Sequence, residues 1–510
     1  MKVFIFAIGG TGARALRALS FCLASGAYNV TKDMEFVPMI IDYDANNGDK
    51  KRAVEALKNY RRIHEAAFEQ NNVVLPKDWK NFFLPRVSYL TEVAARDGRP
   101  CKIDRTFEFT FNGTTSESKG TFAKYLDLEH MTGDKFLTAE LLRALYNDAD
   151  VTDEDYEFTE LNLDLSVGFK GNPNIGTVVF DKISSSPEFT AFTRAFDPAN
   201  DRVFIIGSIF GGTGSSGFPQ MIKAIRNHNV SGFRSCKVGA SVVMPYFKVD
   251  TPQTGGAINS NIFKSKQKAA LDYYLKMERE FDLNAAYYVA DQDNLQTNLA
   301  YSEGNDSQRN NAHVVELLSA LSLLDFTIGQ YGDERTLEFA LQGGIGSKIS
   351  PLTIRSFGDA SRQLFLKPMA YLALAGKYYQ DNLLKGGHGS LSYYQSMALD
   401  GKLNIGEFGV LNEFVNKYFA WLGELNNQEH PFCPFDLRAT DLDSLVLGYK
   451  DSTARYSLSD DADFKGFSSI CNKKYDVFKA KDATKNNELQ LLLKIFYETS
   501  IEIFGKLKEK

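Results

Sequence analysis

Residues 206–217 read IGSIFGGTGSSG, and this stretch decides the fold class of the chain. It follows a short apolar run and precedes the helical pattern of residues 218–226. Glycine lets backbone N–H groups turn toward an anion, and the N-terminus of a helix adds a partial positive charge. The pattern therefore predicts a strand, a phosphate-binding loop and a helix. The predicted phosphate contacts are Gly211, Gly212, Thr213, Gly214 and Ser215.

A second glycine loop lies near the start of the chain. The apolar run 3–8 leads into the sequence GGTG, and residues 13–24 then follow as a mostly apolar helix. A second buried strand is predicted over residues 36–41. Strand, glycine turn, helix and strand form the opening of a doubly wound α/β sheet. The candidate ligand contacts here are Gly9, Gly10, Thr11 and Gly12.

The loop at residues 206–217 resembles the tubulin signature, GGGTG[ST]G, which tubulins and FtsZ share. Phe210 stands where that signature has its first glycine. The whole pattern is closest to the divergent bacterial tubulin-like proteins, rather than to tubulin or FtsZ themselves. The resemblance covers the chain from Lys2 to about Gly332.

Two further loops resemble FtsZ in the order that the family has them. Residues 42–46, DYDAN, are similar to NTDAQ, with an aspartate in place of the asparagine. Residues 168–176, GFKGNPNIG, look like GAGANPEVG, a loop that lies over the terminal phosphate in that family; Lys170 replaces a small residue. The resemblance implies nucleotide contacts by Asp42, Asp44, Asn46, Gly171 and Asn172.

Residues 309–317, RNNAHVVEL, are similar to the tubulin pattern NEALY at the start of the central helix. In that family the asparagine binds the guanine base. An amide both donates and accepts hydrogen bonds, which suits a purine edge. Asparagine is equally a common N-cap, so base contact and capping both stay open for Asn310 and Asn311. His313 is expected to be a packed or capped histidine rather than a ligand.

The hydrolytic acids of the family follow the central helix, in the pattern NxDxx[DE], and reach the nucleotide of the next subunit. Residues 326–335 read FTIGQYGDER, so the asparagine is missing and the acids are adjacent. Asp333 and Glu334 are the candidates for orienting the attacking water, with a solvated loop acid as the alternative. Asp325 is a weaker candidate, and Asp44 is expected near Mg²⁺ through water.

The expected fold class is therefore α/β: a tubulin/FtsZ-like GTPase domain with a mostly parallel sheet and a long central helix, then a helix-rich α+β C-terminal domain. The expected boundaries are 1–326 for the nucleotide-binding domain, with an insertion at about 47–162, and 327–510 for the C-terminal domain. A chain of 510 residues is too long for one typical core.

The composition narrows the function classes. The formal net charge is -6, which gives no basic field for nucleic acid or anionic membranes. The five cysteines show no C-x-x-C spacing, which argues against a disulfide framework, and the six histidines show no metal-binding spacing. The first apolar run is too short for a signal peptide, and no apolar run is long enough to span a membrane. A cytoplasmic protein without a dedicated metal site is predicted.

Three functions remain. The first is a GTP- and GDP-binding protein, using Mg²⁺, that hydrolyses GTP and assembles head-to-tail. The second is a non-polymerising nucleotide sensor or scaffold in a bacterial multi-protein system, an antiphage system being one example that the resemblance implies. Its insertion or C-terminal domain would then bind protein partners. The third is an NAD(P) enzyme with Asp42 on the ribose. The separation of Gly12 from Asp42 exceeds the usual run of about 20 residues.

Overall fold

A computed structural model describes residues 1–27, 31–44, 47–70, 75, 79–99, 102–109, 120–146, 160–249, 260–281, 283–291, 297–299, 310–329, 351–447, 462–480 and 487–508. The chain forms two compact units. The first comprises Met1–Ala15, Val37–Val54 and Ser88–Asn310. The second comprises Leu16–Phe36, Glu55–Val87 and Asn311–Lys510. The single boundary after residue 326 and the insertion at 47–162 stay predictions.

Eight strands are present among the described residues. They are β1 (Lys2–Ile8), β2 (Glu35–Ile41), β3 (Arg86–Val87), β4 (Arg202–Ser208), β5 (Lys237–Val243), β6 (Phe247–Val249), β7 (Ala285–Val289) and β8 (Thr297–Leu299).

The α-helices of the described residues vary from a single turn to six turns. They are α1 (Gly9–Ala24), α2 (Gly48–His64), α3 (Phe122–Tyr125), α4 (Phe136–Leu145), α5 (Pro173–Phe180), α6 (Pro187–Ala195), α7 (Gly212–Arg226), α8 (Ser260–Phe281), α9 (Val314–Ile328), α10 (Asp359–Ser361), α11 (Lys367–Asp381), α12 (Ser392–Ser396), α13 (Gly406–Asn426), α14 (Phe464–Ala480) and α15 (Glu488–Lys508).

Six strands form one parallel sheet in the order β3-β2-β1-β4-β5-β7. β1 pairs with β4 in the register Phe4 to Val203, and β4 pairs with β5 in the register Val203 to Val238. Counted along the chain, this is the 3-2-1-4-5-6 order of doubly wound sheets, compatible with a Rossmann-like α/β fold. The expected α/β class with a parallel sheet is confirmed.

The central strands are mostly apolar after a charged first residue, because both faces of a parallel sheet are covered. Residues 3–8 of β1 are completely buried. Phe6 packs edge-to-face on Phe192 of α6, with ring centroids 5.0 Å apart, and Phe4 contacts Phe192 and Phe196 in the same way. Burying each such ring stabilises the fold by about 2 kcal/mol.

The strand order reverses between β1 and β4. The connections that follow β1 and β4 run in opposite lateral directions, so a crevice opens beyond the carboxyl ends of these two strands. The loops that follow these ends are the two predicted phosphate loops, which begin at Gly9 and at Ile209. We call this place the switch point.

The second unit is dominated by helices. Phe21 of α1 contacts Phe414, Tyr418 and Trp421 of α13, with ring centroids 4.9 to 5.5 Å apart. Two isolated bridges, Leu352 to Phe432 and Phe435 to Val446, join its irregular segments. Residues 351–447, 462–480 and 487–508 contain no longer strand. The helix-rich character of this region agrees with the sequence prediction, and its α+β class stays a prediction.

Candidate functional site

The two glycine loops at the switch point lie against each other in the first unit. Gly9 follows β1 with a positive φ of 73°, a conformation that glycine adopts without strain. A Cβ atom on Gly9 would lie 3.4 Å from the backbone nitrogen of Gly214 and 3.5 Å from Cβ of Thr213. Two loops that are about 200 residues apart in the sequence therefore share one surface.

The loop at residues 168–176 joins them. A Cβ atom on Gly168 would lie 4.0 Å from Oγ1 of Thr213 and 3.9 Å from Cβ of Asp44. A Cβ atom on Gly212 would lie 3.0 Å and 3.2 Å from the backbone nitrogens of Gly171 and Asn172. The structure thus brings four sequence-predicted loops together, each from a different part of the chain.

Asn47 connects the loop after β2 to the first glycine loop. Its Nδ2 donates to Asp42 (3.1 Å) and lies 3.1 Å from the position of a Cβ atom on Gly10. Its Oδ1 accepts from the backbone nitrogen of Asp49 (2.9 Å) in the first turn of α2. The other carboxylate oxygen of Asp42 accepts from the backbone nitrogen of Asp44 (3.2 Å). Sequence reasoning missed Asn47, since its role depends on Gly10.

The charged side chains of the loop after β2 interact with one another and with Glu108. Burial raises the pKa of Asp42 to about 7, Lys50 opposes that shift, and Asp44 adds to it. The Lys50 side chain is buried; its ammonium donates to the carbonyl oxygen of Asp44 (2.8 Å) and pairs with Glu108 (3.1 Å). Near neutral pH the Asp42 carboxyl is therefore partly protonated, which lowers the negative charge beside the glycine loops.

Helix α7 begins at the switch point without a side-chain cap. Its N-cap residue is Gly211, which provides no side-chain cap hydrogen bond. The Ser215 hydroxyl donates to the carbonyl oxygen of Gly211, within the helix's own first turn. Tyr274 of α8 donates to the carbonyl oxygen of Ser215 (2.9 Å) and so fixes this turn. An uncapped helix N-terminus leaves orphan N–H donors for an anion.

Phe210, at the position where the tubulin signature has a glycine, packs in an aromatic cluster. Its ring packs edge-to-face on Phe247, with centroids 4.8 Å apart, and also contacts Tyr246. The guanidinium of Arg14 lies 5.9 Å from the centre of the Tyr246 ring. The substitution therefore belongs to an aromatic cluster on β6 and the segment before it.

Asn310, one of the two base-binding candidates, is buried and held by α2. Its carbonyl oxygen accepts from Arg52 (2.5 Å), whose guanidinium also pairs with Asp49. Arg14 lies 3.9 Å from the same Asp49 carboxylate. These two arginines were not predicted, because nothing in the local sequence links them to Asn310. Asn311 is exposed and belongs to the second unit.

The prediction that the central helix starts at the asparagines is wrong. Helix α9 begins at Val314, and its N-cap is His313. The His313 ring accepts from the backbone nitrogen of Val315 (3.2 Å), while Glu316 accepts from the backbone nitrogen of His313 (3.1 Å). This reciprocal pair is a capping box, which satisfies two backbone N–H donors at the helix start. His313 is buried, as expected of a packed histidine, and its role as the N-cap itself was not predicted.

The remaining predicted site residues lie on helix surfaces or outside the described residues. Thr11 is partly exposed in the first turn of α1, and Asp325 is exposed on α9. Asn46, Asp333 and Glu334 lie outside the described residues. Within the described ranges, no group of three or more His, Cys, Asp or Glu side chains is arranged to hold a metal ion. No helix of those ranges combines the length and apolarity that crossing a bilayer requires.

Comparison of the chain with protein-family models, with curated proteins and with solved structures found no significant match.

Proposed function

We propose that this chain binds a guanine nucleotide, GTP or GDP, at the switch point, in the manner of the tubulin/FtsZ superfamily. One observation carries the proposal: the loops of Gly9, Gly168 and Gly212 come from three parts of the chain and contact one another at the carboxyl ends of β1 and β4. Ligands of doubly wound sheets bind at this place. Glycine backbones there leave N–H groups accessible to phosphate oxygens.

The residues present fit a phosphate chain. The Cβ direction of Gly168 meets no atom closer than 3.9 Å, and the gap is bordered by Asp44 and Thr213. A side chain would fill this gap, whereas a phosphate group could use the hydroxyl and backbone donors around it. Asp44 would face Mg²⁺ through water, since hard cations prefer carboxylate and phosphate oxygens. Mg²⁺ would neutralise charge on the phosphates there.

GTP hydrolysis and head-to-tail assembly extend the proposal. They depend on Asp333 and Glu334 acting on the nucleotide of a neighbouring subunit. The alternative is a sensor that binds nucleotide and regulates partner proteins without assembling. Sedimentation with GTP and with GDP, together with phosphate release, separates these two functions. Equal sedimentation in both nucleotides and no phosphate release would favour the sensor.

The NAD(P) alternative requires Asp42 to accept from ribose hydroxyls. Its two carboxylate oxygens already accept from the backbone nitrogen of Asp44 and from Asn47. That engagement favours a structural role for Asp42 in the loop. Mass spectrometry of the ligand that co-purifies with the protein distinguishes a guanine nucleotide from a dinucleotide directly.

Gly212→Glu tests the site itself. The new side chain would collide with Phe169 and with the backbone of Gly171, and its carboxylate would repel phosphates. We expect nucleotide binding to fall below detection. Gly505→Glu is the matched control, because a Cβ atom on Gly505 meets nothing within 4 Å. Retained affinity in a folded Gly212→Glu variant would refute the proposed site.

A further inference from the structure

The loop between Gly168 and Asn172 holds a lysine in a conformation that suits glycine. The φ angles are 82° at Gly168, 45° at Lys170 and 77° at Gly171. Residues other than glycine, asparagine and aspartate rarely adopt a positive φ, because Cβ then crowds the following carbonyl oxygen. Glycine at position 170 would relieve this strain. Lysine at this position therefore lowers stability relative to glycine, and what it adds in return is a charged side chain.

The neighbours of Lys170 fix its backbone beside the start of α7. On one side, a Cβ atom on Gly168 would lie 4.0 Å from Oγ1 of Thr213. On the other side, the backbone nitrogen of Gly171 lies 3.0 Å from the Cβ position of Gly212. The Lys170 side chain is partly exposed. A lysine ammonium on its flexible stem can therefore reach an anion bound at this helix start.

The charges around the site explain why an added cation matters. Two carboxyl groups, Asp42 and Asp44, follow β2 at the edge of the site, and Asp44 lies beside the gap at Gly168. A multiply charged ligand would meet repulsion from Asp44 and from the ionised fraction of Asp42, and Lys170 places a positive charge in the loop that begins at Gly168.

We propose that Lys170 sets the phosphate-number selectivity of the site and makes it prefer a nucleoside triphosphate over the diphosphate. Coulomb attraction to an ammonium grows with the negative charge of the ligand, so the longer phosphate chain gains more from it. The inference rests on the proposed function, and it names the residue that would distinguish the two nucleotides. The resemblance to FtsZ does not supply it, because that loop has a small residue at this position.

The test compares the dissociation constants of GTP and GDP, with Mg²⁺ present, for four proteins: wild type, Lys170→Asn, Lys170→Arg and Lys237→Asn. Asparagine tolerates a positive φ, so Lys170→Asn removes the charge with little change in the backbone. We expect it to lower the GTP-over-GDP preference about tenfold. Lys170→Arg should keep most of the preference. Lys237→Asn, the same charge change at the amino end of β5, should keep all of it.

Two further readouts exclude a purely structural effect. Lys170→Gly should raise Tm, since it relieves the positive φ, and should still lose the triphosphate preference. Added salt should reduce that preference in the wild type, and have little effect in Lys170→Asn. An unchanged GTP-to-GDP ratio in Lys170→Asn or Lys170→Gly, with binding retained, overturns this inference and leaves the proposed function standing. A wild-type protein that binds neither nucleotide overturns both.

Discussion

Gly12 lies so close to Ala7 that a Cβ atom on Gly12 would be 2.6 Å from the Ala7 carbonyl carbon. Backbone cannot move away from such a contact as a flexible side chain can. We expect Gly12→Ala to lower the free energy of unfolding by about 2 kcal/mol, measured by urea denaturation. Gly358→Ala, whose new methyl would meet nothing within 4 Å, is the control. Equal stabilities of the two variants would contradict the close approach.

Gly10→Ala should separate binding from stability. Its methyl would meet only Nδ2 of Asn47, at 3.1 Å, so α1 itself can accommodate it. The displaced amide would disturb the hydrogen bond to Asp42 and narrow the glycine loop. We expect a Tm close to that of the wild type and a nucleotide affinity at least tenfold lower, measured by calorimetric titration. Unchanged affinity would show that the Gly10 side of the loop does not face the ligand.

Asp42 should make stability depend on pH. Its pKa in the folded protein is about 7, above the ordinary value of 3.8, so the folded state binds more protons than the unfolded chain between these values. Stability therefore falls as pH rises through this window, by up to about 1.4 kcal/mol per pH unit, and levels off above it. Urea denaturation across the window measures the slope.

Asp42→Asn should remove that slope, whatever its effect at a single pH. The new amide would face Nδ2 of Asn47 as a second donor, which lowers stability at every pH without adding a titration. Glu407→Gln, at an exposed carboxyl in the first turn of α13, should keep the wild-type slope. The same slope in Asp42→Asn as in the wild type would assign the titration to another group.

Arg17 and Glu424 form a two-bond pair within the second unit. The guanidinium donates to both carboxylate oxygens at 2.7 and 2.9 Å, and the carboxylate also accepts from the backbone nitrogen of Ala312. Because Arg17 is buried, removal of its partner leaves an uncompensated charge. We expect Glu424→Gln to cost about 3 kcal/mol by urea denaturation. Arg17→Met combined with Glu424→Gln should cost less than the sum of the two single changes.

His313 should stabilise α9 through its cap. His313→Ala removes the acceptor for the backbone nitrogen of Val315, and we expect a loss of about 1 kcal/mol. His313→Asn supplies another acceptor at the same position and should recover most of that loss. Thermal unfolding of the three proteins measures the difference. Equal losses for alanine and asparagine would mean that packing of the ring, rather than capping, is what stabilises the helix.

The sheet was predictable from local sequence, because burial on both faces requires continuous apolar runs. β1 and β2 were each predicted within one residue of their observed bounds. β3 was missed, since Arg86 and Val87 are too few to produce a pattern. The start of α9 was misplaced because a histidine cap is rarer than an asparagine cap.

The meeting of the four loops was predictable only through resemblance. Two side chains that connect distant segments of the first unit, Asn47 and Arg52, escaped prediction for a physical reason. Each acts on a partner that only the fold brings near: Asn47 on Gly10, and Arg52 on Asn310. Helix periodicity and turn chemistry carry no information about such distant pairs.

The division of α1 between the two units has a consequence for synthesis on the ribosome. Phe21 packs against α13, whose residues are translated almost 400 positions later. Until α13 emerges, Phe21 lacks its three aromatic partners on that helix, so the second unit cannot complete its core early. The nascent chain therefore exposes apolar surface of α1 until late in translation. It should therefore depend on chaperones more than a chain whose domains are contiguous.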